Sequence, residues 1–159
     1  FLQRDRVNLE TSTRIPSSGP TEKLSMVKLR RGQQFFRQSI LNAYGVRCCI
    51  SGISVPRLLV ASHIRPWSAF PKDRLNPRNG LCLSSLHDAA FDDGLITLDE
   101  ALRVVLSPRL RKHFPQPALE QNFAAFEGKV IRTPDMLAEP DPEFLEYHRT
   151  VIFKKSASR

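Results

Sequence analysis

A chain of 159 residues with 41% hydrophobic content is enough for one compact core. No apolar run approaches the ~20 residues of a membrane span, so no membrane partner is expected. Twenty-four Lys and Arg against sixteen Asp and Glu leave a net charge of +8, which suits a polyanion such as nucleic acid, or else a basic surface without a role.

The chain starts on Phe1 and shows no signal-peptide pattern, so a missing N-terminal domain is one expectation. Residues 1–25 are polar and turn-rich and read as an arm or linker. Residues 26–155 are expected to form one domain with its core motif at 47–98, and 156–159 a tail. From Val27 to Tyr44, Leu29, Phe36, Ile40 and Ala43 recur at helical spacing opposite Arg30, Arg31 and Arg37, and Gly45 follows as a stop. This basic amphipathic helix could pack on the core or touch phosphates. Arg47–Ile50 and Leu58–Ser62 read as strands. Asn76–Gly80 (NPRNG) reads as a turn and Leu81–Leu83 as a strand. Ser84 or Ser85 can cap a helix that Asp92-Asp93-Gly94 ends. Leu95–Leu98 and Arg103–Leu106 suggest a hairpin. A basic helical turn at 108–113, a short strand at 129–132 and a helix at 142–153 complete the expected elements.

The stretch LLVASHIRPW (58–67) ends a buried-looking strand on His63. A lone histidine there is more often structural, and Asn79-Gly80 alone is as much a hairpin turn as a site. His87 alone would be an ordinary helix residue. In order, however, the chain carries CISG (49–52), SHIRPW (62–67), NGLCL (79–83) and HDAAFDDG (87–94). Over about 31–106 this pattern resembles the HNH endonuclease family, in the branch that includes restriction and defence nucleases. The resemblance implies an α+β fold: a β-β-α-metal core with peripheral helices and a small additional hairpin. It implies metal-dependent hydrolysis of phosphodiester bonds, most simply in double-stranded DNA, with Mg2+ as the ion and Mn2+ or another transition metal as alternatives. It assigns His63 as the general base, a role its ordinary pKa of ~6.5 suits. Asn79 would fix the loop or orient His63, and His87 would hold the metal.

Two features depart from the family pattern. Ser62 stands where many relatives carry a ligating Asp or His. Asn79 and His87 are eight positions apart, one fewer than the commonest spacing. Asp88, Asp92 and Ser62 are therefore weaker metal candidates. Many relatives also hold a structural zinc with two C-x-x-C pairs. Here Gly52, Leu83 and Leu86 stand at three of those positions, so no structural zinc is expected and the apolar residues should fill the space. Cys48, Cys49 and Cys82 read as small buried hydrophobes. Three cysteines make no even disulfide framework, so a reducing, cytoplasmic setting is expected.

Arg65, Lys72, Arg74 and Arg78 lie between His63 and Asn79, as phosphate contacts or as a solvated loop. Trp67 is expected to anchor that loop in the core. The RLRKH cluster (109–113) is a weaker DNA candidate, and His113 and His148 have no site partners. One such domain cuts one strand, so double-strand cutting would suggest a homodimer. Two other readings remain: a DNA-binding module that keeps the fold without cleaving, and a purely structural or interaction domain.

Overall fold

A computed structural model of the chain describes residues 19–154. Contacts divide the chain into Phe1–Arg31 and Gly32–Arg159. The described part of the first unit is one exposed stretch of helix. This helix, α1 (Pro20–Ala43), starts at Pro20 rather than near Val27. Proline suits a first helical position because its missing N–H would be unpartnered there anyway. Residues 20–25 are therefore helical, and the rest of the expected arm, 1–18, lies outside the described residues, as does the tail.

In the second unit the C-terminal half of α1 buries Phe36, Ile40 and Leu41. The core hairpin is β1 (Leu59–His63) against β2 (Gly80–Ser84), antiparallel, with His63 opposite Gly80 and Ser62 opposite Leu81. Helix α2 (Ser85–Asp92) follows directly and packs on both strands. Ser84 caps it by accepting from the His87 backbone N–H. A second hairpin, β3 (Ile96–Leu98) with β4 (Val104–Leu106), sits beyond α2. Short helices α3 (Pro108–Arg111) and α4 (Pro117–Asn122) come next, and the last helix, α5 (Pro142–Tyr147), runs on as a wider π-type turn over His148–Phe153. The α+β architecture with a β-β-α core and an extra hairpin is thus the one the sequence implied.

Gly80 has a steric reason to be glycine. A Cβ there would lie 2.4 Å from the Ile40 Cδ1 and 2.8 Å from the Phe36 Cζ. Its bare backbone is what lets α1 settle on the hairpin. The Arg37 guanidinium seals the same contact by donating to the Leu59 and Pro56 carbonyls. It is a packing residue in this position, not a phosphate contact.

Two expected elements differ, and one segment adds an element that was not expected. Arg47–Ile50 is a turn, not a strand: Gly52 N–H donates to the Cys48 carbonyl and Cys49 N–H to the Cys82 carbonyl. The expected strand at 129–132 is reduced to a bridge between Arg103 and Val130. Segment 117–126 folds into α4 and a 3-10 turn.

His148 is more than a surface histidine. It is buried, accepts at Nδ1 from the Thr97 hydroxyl (2.8 Å), donates from Nε2 to the Phe91 carbonyl (2.9 Å), and stacks on the Phe91 ring at 3.6 Å. Burial drives its pKa from 6.5 down to about 4. Below pH 6.5 the unfolded chain then binds a proton that the folded one refuses, so stability falls as pH drops from 6.5 toward 4. The expected loss is on the order of 3 kcal/mol. Urea midpoints measured across this window should show that slope, and His148→Gln should flatten it. An unchanged slope in the variant would refute the assignment.

Candidate active site

Strand β1 delivers His63 at its last residue, on the face that meets α1. The imidazole stacks on Phe36 (centroids 3.9 Å, planes 12° apart) and meets the edge of Trp67 at 5.3 Å. Its Nε2 lies 2.9 Å from the Arg74 carbonyl. A carbonyl can only accept, so Nε2 carries the proton and Nδ1 keeps a lone pair. Burial pulls the His63 pKa below 6.5, opposed by the Arg74 carbonyl and by the negative charge of Asp88. The ring is therefore neutral at physiological pH.

Asn79 is fully buried and clamps the loop beyond His63. Its Oδ1 accepts from Arg65 N–H (2.8 Å), and its Nδ2 donates to the Arg65 and Asp73 carbonyls (3.3 and 3.2 Å). Its own carbonyl accepts from Ile64 N–H. The Asn79 side chain hydrogen-bonds to Arg65 and Asp73, not to His63. It fixes the loop that carries the Arg74 carbonyl to the imidazole.

The expected metal ligand is placed differently. His87 is 1% exposed. Its Nε2 donates to the Asn122 carbonyl at 2.7 Å, and its Nδ1 accepts from the Ser84 hydroxyl at 2.8 Å. Phe123 and Phe126 present ring faces and edges to it. Both nitrogens have hydrogen-bond partners, so this histidine ties α2 to the end of α4. The Cys48 sulfur lies 3.9 Å from the same Nδ1. The turn residue that meets α2 is therefore Cys48, not Cys49, and it meets Ser84 and His87 rather than Leu83 and Leu86. Leu86 is exposed, so it does not fill the space assigned to it. The sequence signal was available: Cys48-x-x-Ser51 and Ser84-x-x-His87 share the two-residue spacing of the paired-cysteine pattern, shifted by one from the register expected.

That shift brings Asp88 forward. It stands nine positions after Asn79, the commoner family spacing, and its charge acts on His63. Asp92 lies one helical turn further on the same side. Ser62 points to the opposite face of β1 from His63; it is 2% exposed and its hydroxyl has no hydrogen-bond partner. Among the described residues no three His, Cys, Asp or Glu side chains gather into a ready metal cage. One or two carboxylates, completed by water and phosphate, match how Mg2+ is commonly held.

The basic loop is largely committed to the protein. Arg65 is enclosed by aromatic rings and paired with Asp73 (3.3 Å). Arg74 lies over Trp67 (4.9 Å) and donates to the Trp67 carbonyl. Arg78 pairs with Asp141 and donates to the Glu139 carbonyl. Lys72 is exposed. In RLRKH, Arg109 pairs with Asp93 and Arg111 with Glu127.

A two-stranded antiparallel hairpin feeding a helix, with a histidine at the first strand's end and a buried asparagine before the second strand, defines the β-β-α-metal class. Residues 48–99, about a third of the chain, match the family model of the HNH endonucleases. A solved structure entitled "Modification dependent TagI restriction endonuclease" superposes with a TM-score of 0.53 at 20% identity. The match covers 72% of this chain and 36% of that one, so this chain spans about a third of that protein's length. No curated protein gives a significant match. HNH nucleases generally use a divalent metal. Among the described residues, no helix is long and apolar enough to cross a membrane.

Proposed function

We propose that the chain is a metal-dependent endonuclease that hydrolyses phosphodiester bonds in duplex DNA, of the restriction or defence type. The observation that carries this is the His63 tautomer. An Nε2–H held by the Arg74 carbonyl leaves Nδ1 free to take a proton from water, and the lowered pKa keeps that lone pair available at neutral pH. Asn79 keeps the loop in register so that the imidazole cannot rotate away.

Asp88, with Asp92 beside it, would hold the divalent ion, Mg2+ by its donor chemistry. When bound, such an ion neutralises charge developing on the leaving 3′ oxygen. In this reading a carboxylate takes the role that the family pattern gives to the His87 imidazole. Lys72 is the loop residue best placed to meet a phosphate, alongside the overall charge of +8.

The test is a supercoiled-plasmid nicking assay with Mg2+, Mn2+ and a chelator control, run beside DNA binding at several salt concentrations. Nicking that requires metal is expected, with affinity that falls steeply with salt. Salt-dependent binding without nicking in any ion would favour the non-cleaving module. Neither binding nor nicking would leave only an interaction domain.

A further inference from the structure

Asn79 is not alone in holding the loop from Ile64 to Arg74. The Arg65 side chain holds it as well. Its guanidinium carbon lies 4.4 Å from the centre of the Phe144 ring, 4.8 Å from Phe70 and 5.8 Å from Tyr147. Its Nη1 reaches the Asp73 carboxylate at 3.3 Å, and the side chain is 21% exposed. The Nε is buried with no hydrogen-bond partner, so the rings, not a full set of acceptors, hold this cation. Phe70 in turn meets Tyr147 edge-on at 4.8 Å.

Phe144 and Tyr147 belong to α5, so the box joins the loop to the C-terminal helix. The same helix grips α2 through the His148 bond to the Phe91 carbonyl. Asp73, the acidic partner of Arg65, is the residue immediately before Arg74, whose carbonyl fixes His63. Its own carbonyl accepts from Asn79. A continuous set of contacts therefore runs from α5 through Arg65 and Asp73 to the His63 imidazole.

We propose that Arg65 is a positioning residue for His63, and that the C-terminal helix is thereby part of the active-site framework rather than a peripheral addition. The inference rests on the reading of His63 as the general base. Loosening the box lets the Arg74 carbonyl drift, and the imidazole then samples the Nδ1–H tautomer, which has no lone pair facing the water. Small displacements of a reacting group are costly, so the rate should suffer more than substrate binding.

The experiment uses Arg65→Met, which fills the box without a cation, and Arg65→Lys, which keeps the charge but not the planar fork. Nitrogen-15 NMR of the labelled histidines reads the His63 tautomer and its titration in each folded protein, without DNA. Wild type should show Nε2–H alone. Arg65→Met should show a mixture, together with a kcat about 10–100-fold lower and an unchanged KM. Arg65→Lys should fall between. Should Arg65→Met fail to fold, Phe144→Leu thins the same box from the helix side and should produce the same tautomer shift. A His63 signal identical to wild type in a folded variant would overturn the proposal. A change in KM alone would mean that Arg65 meets DNA instead. If the tautomer shifts as expected but wild type never nicks DNA, the positioning holds and the nuclease reading fails.

Discussion

His63→Gln should lower the nicking rate by about 10²–10⁴-fold, the usual contribution of a positioned general base, while the hairpin stays folded. Glutamine is the informative substitution. Its amide can still donate to the Arg74 carbonyl, so the loop keeps its anchor, but it cannot take a proton from water. His63→Ala should be equally inactive and less stable, because it also removes the ring that stacks on Phe36. The pH profile gives a second reading of the same group. A base works only when deprotonated, and burial holds this pKa below 6.5. The wild-type rate should therefore be level near neutrality and fall on an acid limb centred below pH 6.5. A folded His63→Gln protein that nicks at the wild-type rate would end the assignment. So would an acid limb centred well above pH 6.5, because that would require a group whose pKa the protein raises.

The parts of the site that were legible from the sequence are those whose causes are local. The hairpin, the Ser84 cap and the end of α2 at Asp92 all follow from apolar runs and capping chemistry within a few residues. His63 at a strand end and Asn79 before the next strand followed from motif order. What the sequence concealed was set by partners far along the chain. Asn122, which claims the His87 Nε2, lies 35 positions away in a segment without periodicity. Phe144 and Tyr147, which claim Arg65, lie in the last helix. An arginine two residues beyond a histidine looks like a phosphate contact until the aromatic residues around it are placed. The choice between His87 and Asp88 as the proposed metal ligand has a different origin. His87 and Asp88 are adjacent, and on a helix adjacent residues point about 100° apart, so a slip of one position exchanges a buried side chain for a half-buried one whose charge acts on His63.

That exchange makes the second large effect the sharpest discriminator. Asp88→Asn should abolish measurable Mn2+ binding to the protein, read by electron paramagnetic resonance or calorimetry without DNA, and should reduce nicking to near the uncatalysed level at ordinary metal concentrations. Its melting temperature should change little, since Asp88 is only half-buried. His87→Ala should do the reverse. It deletes a fully buried ring and strands the Ser84 hydroxyl and the Asn122 carbonyl, costs that together come to about 2–5 kcal/mol. In whatever fraction remains folded, Mn2+ binding should persist. His87→Gln, which can still donate toward Asn122, should recover part of the stability and gives a variant in which metal binding can be measured even if the alanine protein does not fold. If His87→Gln loses the ion while Asp88→Asn keeps it, the imidazole must leave Asn122 when metal arrives, and the buried geometry seen here would be a resting arrangement. If Asp88→Asn alone loses it, the carboxylate is the ligand and His87 is the post that holds α2 in place beneath it.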